Sequence, residues 1–320
     1  MIMEGNPPGN PDPARQIGGL DPRAFCFRSF KEQTYRSAVT VLEGIQKSAG
    51  FLEKKGVDSP RLQAELLLAH VLKLPRMQLY LNFERILQPA EVDALRELVR
   101  RRGAREPLQH ILGSTSFCGF ELAVNRHVLV PRPETELLAE AGWQFLAQLN
   151  RPAVAMDLGT GSGCLAIAIA AKVPAARVIA TDVSGEALDV ARQNATRQGV
   201  HERIEFRHGR GFEPVAGNRF DLIISNPPYI PRAEIETLDP EVREFDPRPA
   251  LDGGEDGLDA FREIAAEGSR HLAPGGRLML EMGDGQGPAV RSLLEAQKWI
   301  VDEIRHDYTR RERIVIARRD

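Results

Sequence analysis

The tetrapeptide Asn226-Pro227-Pro228-Tyr229 carries side chains suited to chemistry and directly follows the apolar run Phe220–Ser225. That run predicts a buried strand, so the tetrapeptide is expected where a strand of an α/β sheet ends, a common position for ligands. The two prolines fix φ and remove two backbone donors, which leaves a rigid corner with free carbonyl oxygens. An Asn amide, such carbonyls and an aromatic face can together hold a planar group that bears an NH₂. The pattern favours chemistry on an amide or nucleobase nitrogen, and a simple proline turn is the alternative.

A second group of residues predicts a site for a methyl donor. The predicted strand Val154–Leu158 leads into Gly159-Thr160-Gly161-Ser162-Gly163, after which a helix begins. The G-x-G-x-G spacing, with Asp157 before it, favours the amino-acid end of S-adenosylmethionine over a dinucleotide pyrophosphate. Asp182 ends the next predicted strand, where a carboxylate can accept both hydroxyls of a ribose. A helix N-cap is the alternative role for Asp182.

Composition restricts the classes of protein to consider. The chain has 320 residues, which is about right for two domains, and its net charge of -3 gives no overall attraction to nucleic acid. The three cysteines, Cys26, Cys118 and Cys164, are far apart and show no C-x-x-C pattern. This argues against structural zinc or a disulfide framework and fits a reducing cytosol. The longest apolar stretch, 164–171, is too short to span a bilayer, so no membrane segment is expected.

The elements that must position these residues form a predicted series of domains. Residues 1–34 are rich in Pro and Gly and are interpreted as a disordered leader. Residues 35–106 show helical spacing, with helices starting near Pro60, Pro75 and Pro89. Residues 107–131 are predicted to be a β-hairpin linker, and residues 132–320 a C-terminal domain that holds both groups of site residues.

Apolar spacing also predicts the buried face of the second helix and the strands of the linker. Leu62, Leu66 and Ala69 mark the expected apolar stripe of the second helix. In the linker, alternating apolar residues from 117 to 130 suggest short strands that turn at Gly119 and Asn125, the last of them at 128–130.

The C-terminal domain is predicted to be α/β, with a doubly wound, seven-stranded, Rossmann-like sheet, because strands and helices alternate from residue 154 onward. The expected strands lie near 154–158, 177–182, 203–207, 220–225, 277–282, 299–305 and 312–318. The expected helices lie near 163–172, 185–198, 257–271 and 287–297.

Several motifs occur together in the order found in one known family, so their combination is highly specific. They are Asp157–Gly163, Asp182, Asn226–Tyr229, Arg105–Gly113, Val130–Glu136, Pro249–Leu258 and Leu280–Gly283. With them the chain, from about residue 36 to its C-terminus, resembles the glutamine methyltransferases of peptide chain release factors, often called the PrmC or HemK family. These are class I S-adenosylmethionine-dependent methyltransferases.

The resemblance implies a helical domain that docks the release factor and a catalytic domain that methylates the glutamine of its Gly-Gly-Gln motif. S-adenosyl-L-methionine would be held by Gly159, Thr160, Gly161, Ser162, Gly163, Asp182, Gly211 and Asn226. The substrate glutamine would be held by Asn226, Pro227, Pro228 and Tyr229, of which Asn226, Pro227 and Tyr229 would act in catalysis. No metal is implied, and the protein is expected to be a cytoplasmic monomer without direct contact to nucleic acid.

Two positions depart from the family pattern. One is His110, which stands where a tyrosine is common and is expected to be structural. The other lies in the segment expected to bind the cofactor. Where an aspartate usually contacts the adenine amino group, this chain has Arg210, which offers no hydrogen-bond acceptor. Gly211 next to it can still offer backbone contacts to the adenine edge.

Three alternatives remain open at this level. A ribosomal-protein glutamine methyltransferase would share the glycine loop and the clamp, although the Arg132–Glu136 segment and the helical domain favour the release factor. A nucleic-acid adenine methyltransferase could use the same clamp, but the net charge of -3 disfavours it. A non-catalytic protein-binding scaffold without cofactor affinity is the third alternative, suggested by Arg210.

Overall fold

The computed structural model describes residues 38–320, so the predicted leader at 1–34 lies outside the described residues. The helices are α1 Val41–Lys54, α2 Pro60–Leu72, α3 Arg76–Leu79, α4 Pro89–Gly103, α5 Leu108–Leu112, α6 Pro133–Gln148, α7 Cys164–Lys172, α8 Gly185–Arg197, α9 Pro240–Arg243, α10 Asp259–Glu267 and α11 Gly287–Ala296. The strands are β1 Ser114–Phe117, β2 Phe120–Ala123, β3 Ala153–Leu158, β4 Ala176–Asp182, β5 Ile204–His208, β6 Phe220–Ser225, β7 Leu272–Glu281, β8 Ile300–His306 and β9 Glu312–Arg318.

The N-terminal helices pack around an apolar core of their own, as the sequence predicted. Proline begins both α2 and α4 and directly precedes α3, because the missing N–H is unneeded in a first turn. The Thr40 side chain accepts a hydrogen bond from the Glu43 backbone N–H and so caps α1. The core is formed by apolar side chains of α1, α2, α4 and α5, among them Ile45, Leu52, Leu67, Leu68, Leu95 and Ile111.

The buried face of α2 differs from the prediction. The expected stripe is right at Ala69 but wrong at Leu62, which is 42% exposed, and at Leu66, which is only half-buried. The helix instead buries Ala64, Leu67, Leu68 and Ala69. Apolar residues occupy most positions of α2, so their spacing does not determine which face of the helix is buried. The packing of the neighbouring helices determines that face.

The first two strands predicted between residues 117 and 130 are confirmed as a hairpin. Strands β1 and β2 pair antiparallel and turn at Cys118 and Gly119, which both have positive φ. The third strand expected at 128–130 is wrong. The Asn125 side chain accepts a hydrogen bond from the His127 backbone N–H, and the Asn125 carbonyl accepts one from Val128, so a turn forms there instead.

The catalytic domain contains the predicted seven-stranded sheet, in the order β5-β4-β3-β6-β7-β9-β8. Strand β9 pairs antiparallel with both β7 and β8, and the other neighbours are parallel. Helices cover both faces over two separate apolar clusters. Strand β7 begins at Leu272 and not near residue 277 as predicted. The sequence Pro274-Gly275-Gly276 is typical of a turn, but here it lies within the strand, where the pairing of β7 with β6 shifts in register.

This topology places several functional segments at one edge of the sheet. Strands β3, β4, β6 and β7 are parallel neighbours, so their carboxyl ends meet there. Helix α6 packs across β6 and β7, and its first turn faces the same edge.

Two arginines of the helical domain join it to the catalytic domain. Arg102 and Arg105 both bind the carboxylate of Glu241 in α9, with N···O distances of 2.7 and 2.6 Å. Arg102 also donates to the Gln63 side chain and the Glu106 carbonyl. The helical domain is therefore fixed to the segment that connects β6 with α10.

Candidate active site

The glycine loop lies between β3 and α7, where the sequence placed it. Gly159, Gly161 and Gly163 all have positive φ. A Cβ added at Gly161 would contact nothing within 4 Å, so its backbone conformation rather than crowding requires glycine there. A Cβ at Gly163 would approach Ala191 of α8 at 3.1 Å, so this position requires glycine on both grounds. Open space therefore borders the loop at Gly159 and Gly161.

Asp157 lies fully buried beneath this loop. Its Oδ2 accepts hydrogen bonds from the Thr160 hydroxyl at 2.6 Å and from the Ala166 backbone N–H at 3.1 Å, which ties the loop to the first turn of α7. Its Oδ1 has no partner among the described residues. Burial raises the pKa of Asp157 to about 7. A cation near this carboxylate would favour its ionised form.

Asp182 ends β4 beside the glycine loop. Its Oδ2 accepts the Gly161 backbone N–H at 2.9 Å, and its Oδ1 accepts the Ser184 backbone N–H at 2.9 Å. Ser184 is the N-cap of α8, because its hydroxyl accepts a hydrogen bond from the Ala187 backbone N–H. The alternative role of helix N-cap therefore belongs to Ser184 and not to Asp182. Each carboxylate oxygen has two acceptor positions, so Asp182 keeps capacity for two more donors.

The tetrapeptide that begins at Asn226 follows β6 at the same edge. The Ser225 hydroxyl donates to the Leu158 carbonyl at 2.6 Å, which joins the start of the tetrapeptide to the start of the glycine loop. The Asn226 side-chain NH₂ donates to the Thr135 hydroxyl at 3.2 Å. Among residues 38–320, no donor binds the Asn226 side-chain oxygen or the Pro227 carbonyl oxygen. Both oxygens thus keep their full acceptor capacity.

The Tyr229 backbone and ring are held by two neighbouring segments. The Gln286 side chain donates to the Tyr229 carbonyl at 2.9 Å and accepts from the Gly283 backbone N–H at 2.9 Å. A Cβ at Gly283 would lie 3.2 Å from the Tyr229 ring, so glycine allows this close packing. Burial, together with the nearby Glu281 carboxylate, raises the pKa of Tyr229 to about 12, so its hydroxyl stays protonated at neutral pH.

Gly211 and Arg210 lie beyond the end of β5. The Gly209 backbone N–H donates to the Asp182 carbonyl at 3.0 Å, which brings this turn to the same edge. Gly211 has a φ of 53°, and Arg210 extends outward to Glu263 of α10 with its side chain 76% exposed. The Arg210 side chain is therefore engaged at the surface by an acidic partner.

Thr135, Glu281 and Gln286 were not among the predicted site residues. Thr135 and Glu281 are each 2% exposed, and Glu281 Oε2 has no hydrogen-bond partner among the described residues. Burial raises the pKa of Glu281 to about 7. The sequence contained a signal for both, because they belong to two of the motifs that carry the family resemblance. The resemblance implied that the segment Arg132–Glu136, which contains Thr135, lies near the cofactor and the substrate glutamine, but it gave no contact between Thr135 and Asn226.

Two further features bear on the class of site. Among residues 38–320, no group of three or more His, Cys, Asp or Glu side chains could hold a metal ion. Within the same residues, no helix has the length and apolar character needed to cross a membrane.

Comparison with known proteins gives consistent results over most of the chain. A family model described as the PrmC N-terminal domain matches residues 43–113, and one described as the methyltransferase small domain matches residues 138–238. A release factor glutamine methyltransferase of Geobacter sulfurreducens is 46% identical over 251 residues, 78% of this chain and 87% of the relative. One from Chlorobaculum tepidum is 43% identical over 283 residues, 86% of this chain and 95% of the relative. The solved hMettl16 catalytic domain in complex with MAT2A 3'UTR hairpin 6 is 13% identical with a TM-score of 0.50, covering 69% of this chain and 81% of that chain, and shows a shared fold.

Proposed function

The chain belongs to the family of release factor glutamine methyltransferases, and on this premise we propose that it methylates the glutamine of the Gly-Gly-Gln motif in peptide chain release factors. The side-chain amide nitrogen gains the methyl group and loses one of its two hydrogens as a proton, and the carbon–sulfur bond of the donor breaks to leave S-adenosylhomocysteine. The protein is an S-adenosyl-L-methionine-dependent enzyme of the protein-glutamine N-methyltransferase class.

One observation supports this proposal most strongly. The unoccupied acceptors at Asn226 and Pro227, the glycine loop and Asp182 lie together at the carboxyl edge of four parallel strands. A clamp for a planar amide therefore adjoins a cradle suited to a nucleoside-type donor.

The residues of the cradle fit S-adenosyl-L-methionine. We assign it to Gly159–Gly163, Asp182, Gly211 and Asn226. The carboxylate of Asp182 has acceptor capacity for ribose hydroxyls, and the open space at Gly159 and Gly161 allows close approach to the backbone. The unpartnered oxygen of the buried Asp157 adds negative charge beneath the loop, which suits the cationic end of the donor. When bound, the donor supplies an electrophilic methyl group on a sulfonium sulfur.

The clamp positions the glutamine for attack. The Asn226 side-chain oxygen and the Pro227 carbonyl each accept one hydrogen of the substrate amide, and the Tyr229 ring stacks on the amide plane. Pro228 keeps the backbone between them rigid. These hydrogen bonds strengthen as the nitrogen gains positive charge, so they stabilise the transition state more than the bound substrate. Correct alignment of nitrogen, methyl carbon and sulfur can supply roughly 7–11 kcal/mol of the barrier.

The domains divide the work in this proposal. Residues 35–106 dock the release factor, residues 107–131 link the two parts, and residues 132–320 carry out the chemistry. Between α1 and α4 the helical domain has a groove of ≈ 780 Å³, lined by apolar side chains and by Lys47, Arg96 and Arg100. This groove is the proposed contact surface for the release factor.

We further propose that the protein is a cytoplasmic monomer, which acts on protein and makes no direct contact with nucleic acid or membrane.

A direct assay tests the function. Purified enzyme receives labelled S-adenosyl-L-methionine and either a release factor, the same factor with the glutamine of its Gly-Gly-Gln motif replaced, or a ribosomal protein. Label on the first alone, located by mass spectrometry on that glutamine, is expected. Label on the ribosomal protein alone would establish the alternative substrate, and absence of cofactor binding by calorimetry would indicate a scaffold.

A further inference from the structure

The carboxylate of Glu263 in α10 lies directly against the turn that follows β5. A Cβ added at Gly211 would collide with Glu263 Oε1, so glycine is what leaves room for that oxygen. Arg210 donates to the other carboxylate oxygen, Oε2, at 3.2 Å. Among residues 38–320, no hydrogen-bond donor binds Oε1. One oxygen of Glu263 is therefore anchored, and the other remains a free acceptor beside Gly211.

The same turn also presents backbone donors. The N–H groups of Gly211 and Phe212 have no acceptor within the part of the chain that the structure describes, whereas the Arg210 carbonyl accepts from the Glu213 backbone N–H. A free acceptor and free donors thus occur together at this turn. One edge of adenine has the complementary pattern, because its amino group donates and the adjacent ring nitrogen accepts.

We propose that Glu263 binds the adenine amino group of S-adenosyl-L-methionine through Oε1, in the role of the aspartate that the family usually has at position 210. This inference rests on the proposed function, because it concerns the assigned cofactor site. The Arg210 side chain cannot accept a hydrogen bond, but it holds Glu263 Oε2 and so keeps Oε1 beside Gly211. Helix α10 thereby supplies the acceptor that the turn itself lacks.

The position of the turn fits a base attached to a ribose at Asp182. His208, the last residue of β5, pairs with Asp182 in the parallel register, and the Gly209 backbone N–H donates to the Asp182 carbonyl at 3.0 Å. Neighbouring strands lie about 4.8 Å apart. A purine that extends from this ribose toward β5 therefore reaches Gly211. Asp182 and Glu263 would then bind the ribose and the base of one nucleoside.

Replacement of Glu263 should leave the fold intact. In its ion pair with Arg210, the side chain of Arg210 is 76% exposed and that of Glu263 is 32% exposed. Exposed pairs contribute little to stability, so Glu263→Ala tests ligand binding and not folding.

Calorimetry with two ligands tests the contact. One is S-adenosylhomocysteine, and the other is its analogue with hydrogen in place of the purine amino group. Wild type should bind the analogue roughly tenfold more weakly, the effect of one charge-assisted hydrogen bond at a partly exposed site. Glu263→Ala should bind S-adenosylhomocysteine roughly tenfold more weakly than wild type, and it should no longer distinguish the two ligands. Equal discrimination in wild type and Glu263→Ala would overturn the proposal.

The matched control is Glu267→Ala, which removes an exposed carboxylate one turn further along α10. It should bind both ligands as wild type does, because it keeps Glu263 in place. If Glu267→Ala lost the discrimination as well, the effect would belong to the charge of the helix and the contact with Glu263 would be excluded.

A rescue experiment separates a lost hydrogen bond from an indirect change. Arg210→Asp places an acceptor where the family usually has one. In the Glu263→Ala background, it should restore most of the affinity for S-adenosylhomocysteine and the preference for the amino group. A double variant that binds no better than Glu263→Ala would contradict the location of the adenine at this turn. The proposed function fails in a different measurement: wild type that shows the expected discrimination but does not methylate release factor would refute the substrate and leave the role of Glu263 intact.

Discussion

Replacement of Glu241 by alanine removes the carboxylate that joins the helical domain to the catalytic domain. Arg102 has a side chain only 5% exposed, and it would keep hydrogen bonds to Gln63 and to the Glu106 carbonyl but lose its counter-charge. Loss of one partner from a buried ion pair typically costs ~3–5 kcal/mol. Arg105 is 23% exposed and can be partly solvated, so we expect a loss of about 3 kcal/mol in the free energy of unfolding.

Urea unfolding at pH 7.5 would measure this loss in Glu241→Ala against wild type. Burial alone would raise the pKa of Glu241, but hydrogen bonds from Arg105 and Arg102 outweigh it and hold the pKa below its usual value. The stability that these bonds contribute is therefore present above the unfolded-state pKa and declines as pH falls through the lower, folded-state pKa. The difference between Glu241→Ala and wild type should narrow accordingly in acid.

The matched control is Glu97→Ala, which breaks the exposed pair between Glu97 and Arg100 on α4. Exposed pairs contribute little, so no measurable change is expected there. If the helical domain docks the release factor, Glu241→Ala should also raise KM for the factor and leave KM for S-adenosyl-L-methionine unchanged. Equal stability of Glu241→Ala and Glu97→Ala would refute the reasoning about the buried pair.

Three further predictions concern the site itself. Asn226→Ala should lower kcat by ~10²–10³, as expected for loss of one transition-state hydrogen bond, and near-normal single-turnover rates would exclude the clamp. Asp182→Ala should raise the Kd for S-adenosyl-L-methionine in calorimetry, and an unchanged Kd would remove Asp182 from the ribose site. Glu281 has a pKa raised from 4.5 to about 7, so the folded state loses stability as pH rises through this interval. Relative to wild type, Glu281→Gln should therefore gain about 3 kcal/mol in the free energy of unfolding between pH 4.5 and pH 8, and a constant difference in urea unfolding would contradict this.

The sequence predicted those parts of the fold that depend on local patterns. Strand β6 and the loop at Gly159–Gly163 were located closely, because an apolar run and a glycine spacing are both local signals. The face of α2 and the third linker strand were predicted wrongly. The buried side of Leu67 and Leu68 depends on neighbouring helices, and the turn at Asn125 depends on one side-chain hydrogen bond.

The candidate site shows the same division. Asn226 could be selected from its position after a strand, since strand ends in α/β sheets commonly bind ligands. Thr135 and Glu281 lie 91 and 55 residues from Asn226 along the chain, and only the packing of α6 across β6 and β7 brings them together. Their motifs were visible in the sequence, but only the tertiary structure brings Thr135 within hydrogen-bonding distance of Asn226.

The start of α6 connects the clamp to the helical domain through short-range contacts. Thr135 bonds to Asn226, and Arg132, three residues earlier, binds Asp246 with an N···O distance of 2.6 Å. Asp246 lies five residues after Glu241, which holds the arginines of the helical domain. The segment 241–246 thus carries two carboxylates: Glu241 binds the helical domain, and Asp246 binds Arg132 at the start of α6. Glu241→Ala removes the bond to the helical domain but leaves the bond between Asp246 and Arg132 at the start of α6. We therefore expect this substitution to impair docking of the release factor more than the orientation of Asn226.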